Sequence, residues 1–211
     1  MKHKIGISFS LFGQSPHFLD GLCRNYKVRD KIYPDCKMIV HTDQPETVKA
    51  SLPDADVVSY PVSEDLSGCF WRFLSYNDDR FDAVLFRDAD SVINVREAAA
   101  VNDWLGKGLP LYASLDHHQH FSGEWPVMAG MWGVRKGGIP FDFKYLVKWW
   151  VENKSPFGYT SDQWFLRRYI WPLIASGDGI MYSRNISSRW RGDAWPDHEK
   201  YDSFVGARIS Q

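Results

Sequence analysis

Four short apolar runs occupy the first 90 residues, at 4–11 (KIGISFSL), 36–42 (CKMIVHT), 56–62 (DVVSYPV) and 83–90 (AVLFRDAD). The stretches between them carry apolar residues at helical spacing, and this alternation constrains the fold most. Runs of β-branched and aromatic residues bounded by Gly and Pro read as strands. Phe18, Leu22, Tyr26 and Val28 mark one face of a helix stopped by Pro34. A short helix at 46–52 (ETVKASL) and helical spacing of Phe70, Phe73 and Leu74 within 69–77 (CFWRFLSYN) fill the next two gaps. Strand and helix in regular turn predict an α/β fold with a central, mainly parallel sheet flanked by helices.

The second half is less regular. A helix is expected at 95–105 (VREAAAVNDWL), opened by Arg96-Glu97 and closed by Gly106 and Gly108. A strand at 109–118 ends in Asp116-His117-His118, and the apolar stretch 126–135 is interrupted by Gly130 and Gly133. Helices follow at 143–153 and 161–174, and the tail from about Ser183 has little periodicity. The chain shows no repeat, low-complexity linker or sharp boundary, so its 211 residues are expected to form one domain.

Charge and composition exclude several classes. Lys and Arg total 25 against 26 Asp and Glu, which asks for neither nucleic acid nor an anionic membrane surface. No apolar run approaches the roughly 18 residues of a membrane span, and the N-terminus is a charged start running into a strand rather than a signal peptide. Cys23, Cys36 and Cys69 are odd in number and widely spaced, which points to a reduced, cytoplasmic protein. Aromatic content is 16%, with 10 Trp, and this serves equally a bulky core and flat platforms for sugars or bases.

The tripeptide Asp-Ala-Asp occurs twice, and position separates the copies. Asp54-Ala55-Asp56 precedes its strand after Pro53, where aspartates accept local backbone hydrogen bonds in a turn. Asp88-Ala89-Asp90 follows its strand. Ligands of open α/β sheets bind outside the carboxyl ends of strands. Two carboxylates one residue apart can converge there on a hard cation that keeps positions open for diphosphate oxygens.

The segment LFRDADSVINVREAAAVNDWL resembles the metal-binding segment of small GT-A-type glycosyltransferases, in which a DxD holds Mn²⁺ or Mg²⁺ on a nucleotide-sugar diphosphate. The likeness extends, in order, to GCFWRFL, MAGMWGVR and DQWFLRRYIWPL, and it covers most of the chain. It is nearest to the compact enzymes of large algal (chlorella) viruses and their bacterial polysaccharide-cluster relatives. The resemblance implies a UDP-sugar donor, a carbohydrate acceptor, and a nucleotide-binding half at about 1–92 followed by a donor-sugar and acceptor half at about 93–211. For a viral member the host cytoplasm would be the compartment. It also makes SFSLFG, with Ser10, Leu11 and Phe12, the uridine wall, and Asp88 and Asp90 the metal ligands. Some relatives carry a C-terminal metal-ligand histidine. His198 is the one histidine beyond residue 120, and so the one late candidate.

The other candidates each have a plain structural reading beside the functional one. Arg72 lies in a helix suited to burial, and a buried arginine must be paired. It is either a structural ion pair, with Asp88 as a partner, or a guanidinium fork at the diphosphate. Arg87 is expected to face away from Asp88, since side chains alternate along a strand. Asp116 ends its strand beside His117, His118 and His120, a solvated loop in the plain reading; no Cys or Glu completes a zinc spacing. Under the resemblance Asp116 holds sugar hydroxyls. Gly130 and Trp132, in Gly-Met-Trp-Gly, are a bulge or tight crossing, or the floor beneath donor and acceptor sugars. Asp162 suits the first turn of a helix capped by Thr160 or Ser161. Asp162-Gln163 also resembles the pair that retaining GT-A enzymes place beneath the anomeric carbon, while inverting relatives use an acid at a similar position as general base.

Rival classes meet specific objections. Asp88-Ala89-Asp90-Ser91-Val92 fits the DxDx[TV] motif of aspartate-nucleophile phosphatases, and GDGI at 177–180 echoes their later acidic motif. That motif sits on a first strand, whereas three strands precede it here. A nucleotidyltransferase needs a Gly-rich, Lys-containing N-terminal loop, which SFSLFGQSPHF lacks. A non-catalytic sugar-binding module explains the tryptophans but not an acidic pair, an arginine and Asp-Gln on strand and helix ends.

Overall fold

The computed structural model describes residues 3–62, 66–116, 125–153, 158, 160–183, 192–196 and 205–207, with Leu66 and Asn77 described by backbone alone. One seven-stranded sheet carries the architecture, in the order β3-β2-β1-β4-β6-β5-β7. The strands are β1 (Ile5–Leu11), β2 (Lys37–Thr42), β3 (Asp56–Ser59), β4 (Ala83–Arg87), β5 (Leu111–Leu115), β6 (Met131–Arg135) and β7 (Gly179–Ser183). β1 to β4 pair in parallel, β6 runs antiparallel between β4 and β5, and β7 pairs parallel with β5. This is the mixed, mainly parallel α/β sheet expected. The α-helices are α1 (Pro16–Ile32), α2 (Pro45–Ser51), α3 (Val95–Lys107), α4 (Phe143–Asn153), α5 (Ser161–Tyr169) and the single turn α6 (Trp171–Leu173). No helix among the described residues is long and apolar enough to cross a membrane.

Strand alternation builds two apolar layers. Ile7, Phe9, Leu11, Met38, Val40 and Leu85 meet Leu22 of α1 and Trp104 of α3 on one face. Ile39 and Phe86 meet Phe70, Phe73, Trp132, Phe143 and Phe165 on the other. Part of the aromatic surplus is core: Trp104, Trp132, Trp150 and Trp195 are all buried.

Three local expectations are corrected. The segment with helical spacing at 69–77 forms a 3-10 helix, Leu66–Asn77, rather than an α-helix. The Ser10 hydroxyl accepts from the Arg72 amide at 3.0 Å and the Ser8 hydroxyl donates to the Arg72 carbonyl at 2.8 Å. Two serines of β1 thus engage the backbone groups that a regular α-helix would use. β4 stops at Arg87, so Asp88-Ala89-Asp90 is a turn beyond the strand rather than its end. Arg96 and Glu97 open α3 as expected, in the first turn after the Asn94 cap. Both are buried in ion pairs, Glu97 with Arg87 and Arg96 with Asp116. Finally, residues 179–183, within the tail-side stretch read without a strand, add β7 to the sheet edge beyond a glycine turn.

Candidate active site

The carboxyl ends of β1 and β4 open into a cleft of about 270 Å³. The turn after β4 brings Asp88, Ala89 and Asp90 to it. Ser10 and Phe12 come from the end of β1, Cys69 and Arg72 from the 3-10 helix, and Asp162 and Gln163 from the first turn of α5.

Two glycines make the turn's position sterically allowed. A Cβ on Gly21 of α1 would lie 2.0 Å from the Ala89 carbonyl oxygen, and one on Gly130 would lie 2.1 Å from Asp88 Oδ2. Only a bare backbone fits at either point. Asn25 of α1 anchors the following residues, donating to the Ser91 carbonyl at 2.8 Å and accepting from the Ile93 amide at 2.9 Å.

Arg72 bridges the two acidic elements. One guanidinium nitrogen bonds Asp88 Oδ1 and, at 3.1 Å, the Arg87 carbonyl; the other donates to Asp162 Oδ2 at 2.9 Å. Arg72 is 4% exposed, so this fork works in a low-dielectric setting. Burial opposes its charge, but Asp88 and Asp162 outweigh that and hold the guanidinium above its ordinary pKa. Burial pushes the Asp162 carboxyl up, Arg72 pulls it back, and the Asp88 charge raises it again. Asp162 Oδ1 accepts the Gln163 amide at 2.9 Å, so both its oxygens are engaged. The Cys69 thiol is pushed up to about 12, chiefly by burial, and stays protonated rather than nucleophilic.

The helix start at Asp162 differs from the expected one. Thr160 occupies the cap with φ of 76°, and neither it nor Ser161 supplies a side-chain cap. Ser161 Oγ instead accepts from the Trp150 indole at 3.4 Å. A β-branched residue in the left-handed region costs on the order of 1–2 kcal/mol, and this one lines the cleft.

An aromatic wall flanks the β1 side. Phe12 meets Trp71 edge-on at 5.9 Å, and Trp71 stacks on Tyr60 at 4.5 Å and 10°. Behind it His41 bonds the Tyr60 hydroxyl at 3.1 Å and the Ser75 hydroxyl at 2.7 Å, and Ser75 bonds Ser8 at 2.8 Å. Burial lowers the His41 pKa from 6.5 to about 4. Its folded form therefore stays neutral while the unfolded chain takes up a proton below pH 6.5. This contribution is complete at neutral pH and is lost as pH falls from about 6.5 towards 4, up to roughly 3 kcal/mol. Urea unfolding at pH 7.5 and pH 5 should show about 2 kcal/mol of that drop in wild type and a much smaller one in His41→Gln.

Several sequence candidates lie elsewhere. Asp116 is fully buried, receives Arg96 at 3.2 Å and accepts the Val205 amide at 2.9 Å, so it ties strand, helix and tail together and does not line the cleft. Trp132 is core, and Leu11 is buried in the layer facing α1. Gly130 lies against Asp88 at the cleft's edge. Asp54 pairs with Arg29 at 2.5 Å and Asp56 with Arg80 at 2.7 Å, both at the amino end of β3, away from the cleft. Both aspartates thus also serve side-chain ion pairs beyond the turn. Asp178 of the phosphatase-like echo sits in the turn before edge strand β7, outside the cleft lining. His117, His118, His120 and His198 lie outside the described residues. Phe18, Ala129, Thr160 and Ser161 also line the cleft, and no local pattern singled them out for it.

Among the described residues the charged lining is Arg72 against Asp88, Asp90 and Asp162, one formal positive charge against three negative. Among the described residues, no three His, Cys, Asp or Glu side chains form a metal-binding group. Two carboxylates on one turn, with the Asp88 side chain 48% exposed, nevertheless suit a hard divalent ion that takes its remaining oxygens from a ligand.

No protein-family model matches the chain, and no curated protein matches it. Solved structures do. Glucosyl-3-phosphoglycerate synthase from Mycobacterium tuberculosis, in complex with Mn²⁺, UDP-glucose and phosphoglyceric acid, aligns with a TM-score of 0.51 at 18% identity, over 86% of this chain and 69% of that one. Mannosyl-3-phosphoglycerate synthase from Rubrobacter xylanophilus aligns with a TM-score of 0.53 at 12% identity, over 86% and 66%. A mannosyltransferase from Pyrobaculum calidifontis, in complex with GDP-mannose and Mn²⁺, aligns at 14% identity and a TM-score of 0.49, over 65% and 46%. The chain thus spans from 46% to 69% of the length of these three proteins. Strand order, the reversed β6 and the alignments with the two phosphoglycerate synthases together establish the fold: this chain has the GT-A, or nucleotide-diphospho-sugar transferase, fold.

Proposed function

We propose that the protein is a divalent-metal-dependent glycosyltransferase that moves a hexose or deoxyhexose from a UDP-sugar to a carbohydrate acceptor, with retention of anomeric configuration. One observation carries the reading. The Asp88-Ala89-Asp90 turn leaves the carboxyl end of β4 and enters a cleft in which, among the described residues, one arginine faces three aspartates, a net formal charge of minus two. Such a cleft repels a bare diphosphate and accepts one accompanied by a cation. Asp88 and Asp90 would hold Mn²⁺ or Mg²⁺, and the bound ion would neutralise the departing diphosphate.

The chain's own residues supply the rest. The half of the chain at about 1–92 contributes Phe12 and the stacked Trp71–Tyr60 pair as flat apolar surface for the uracil ring. Arg72 fixes Asp88 and Asp162 relative to each other. Asp162, negatively charged and with both oxygens already accepting hydrogen bonds, is better suited to stabilising positive charge at an anomeric carbon than to removing a proton. That supports retention. Gln163, whose amide oxygen is buried without a protein partner, offers an acceptor to a donor-sugar hydroxyl. The mannosyl- and glucosyl-transferring neighbours of the same fold lend the reading weight without identifying sugar or acceptor.

The test is a donor screen. UDP-glucose, UDP-galactose and other UDP-sugars are titrated with Mn²⁺ by calorimetry, and slow hydrolysis of the binding donor is followed by NMR. Release of the sugar as the same anomer supports the proposal. Opposite-anomer product contradicts retention, and hydrolysis of a phosphomonoester would favour the phosphatase reading.

A further inference from the structure

Behind the cleft, on the opposite face of β4, lies a charge pair that no ligand would touch. Arg87 and Glu97 are 0% and 1% exposed at their side chains and meet at 3.1 Å. Burying two charges costs desolvation that their attraction scarcely repays, so such a pair is a poor source of stability. Its hydrogen bonds indicate a different use. Arg87 Nη1 also donates to the Gly130 carbonyl at 3.1 Å, and Nη2 donates to Ser91 Oγ at 3.2 Å. Ser91 Oγ in turn donates to the Asp88 carbonyl at 3.2 Å. Gly130 is the residue against which Asp88 Oδ2 rests. One guanidinium therefore grips both supports of the aspartate turn, the residue after it and the backbone beneath its first carboxylate.

Glu97 keeps that guanidinium in place. It sits in the first turn of α3, where its amide bonds the Asn94 side chain at 2.9 Å, so its position along the helix is fixed. Burial pushes its carboxyl up and Arg87 pulls it down, as expected of a carboxylate whose ionised form depends on that one partner. The link runs α3, Glu97, Arg87, Ser91 and Gly130, then Asp88.

We propose that Arg87 and Glu97 are positioning residues that hold the Asp88–Asp90 turn, through Ser91 and Gly130, in the geometry in which it binds a divalent cation. The inference rests on the metal-binding reading above. It differs from a plain core pair in what it expects when charge is removed without disturbing volume.

The experiment measures Mn²⁺ binding by the EPR signal of the free ion, with UDP present, beside a thermal melt. Arg87→Met with Glu97→Leu removes both charges together and leaves neither uncompensated, so the fold is expected to survive. Ser91→Ala removes only the hydroxyl link. The expected result is a Kd for Mn²⁺ raised about tenfold or more in the double variant and by a smaller factor in Ser91→Ala, with cooperative melting in both. A folded double variant with wild-type Mn²⁺ affinity would overturn the proposal. If the double variant does not fold, unchanged affinity in Ser91→Ala overturns it. Failure of the wild type to bind Mn²⁺ would sink the metal reading itself, and this inference with it.

Discussion

Asp162→Asn is expected to lower kcat by on the order of 10²-fold or more while leaving UDP affinity nearly unchanged, because the lost interaction is made mainly in the transition state. Asn is nearly isosteric and can still accept the Gln163 amide, so the helix start survives. It cannot offer a full negative charge. A role confined to the first turn of α5 is worth at most about 1 kcal/mol. The structure adds a second structural role, since Arg72 donates to Asp162 Oδ2 at 2.9 Å. Asp88 remains as partner to the guanidinium, so a lowered melting temperature rather than unfolding is expected. Turnover is measured well below the new melting point, beside a calorimetric titration of UDP. A folded variant with normal turnover would return Asp162 to structural duty. Asp116 would not replace it, being fully buried against Arg96.

Arg72→Lys is expected to be nearly as damaging and to destabilise more. The guanidinium serves Asp88, Asp162 and the Arg87 carbonyl at once. A lysine ammonium is a point charge on a flexible stem and cannot span all three. The two carboxylates would then be held less firmly in a cleft whose described lining already carries excess negative charge. A kcat loss on the order of 10²-fold is expected, with about 2–3 kcal/mol of stability and a melting point lowered by roughly 5–10 °C. Wild-type turnover with an unchanged melt would remove Arg72 from the site.

The fold was legible where local pattern and tertiary role coincide. β1, β2 and β4 are short, largely apolar runs because both faces of a parallel sheet are covered. α4 was readable to the residue from its apolar spacing. β7 escaped because five residues beside a glycine turn carry too little periodicity to stand out. The 3-10 helix escaped because its cause is long-range: Ser8 and Ser10 bind the backbone of Arg72 from more than 60 residues away.

The site divides the same way. Placement of one aspartate pair after a strand and of the other before one is a local fact, and the structure puts the first in the cleft and the second outside it. The pairing of Arg72 with Asp88 could be expected, since a buried guanidinium needs a carboxylate. That Asp162 is its other partner, 90 residues on, could not. Asp116 ends its strand much as Asp88 does, yet Arg96 turns it inward. Arg96 and Glu97 were legible as the opening of a helix, but their burial was not, because it depends on the distant Arg87 and Asp116.

The most direct test of the central claim is a calorimetric titration of UDP with and without Mn²⁺, on the wild type, Asp90→Asn and Asp54→Asn. The account predicts that wild type and Asp54→Asn bind UDP only when Mn²⁺ is present, and that Asp90→Asn loses this binding because a ligand oxygen and its charge go together. Metal-independent binding of UDP by the wild type, or equal loss in the two variants, would contradict it.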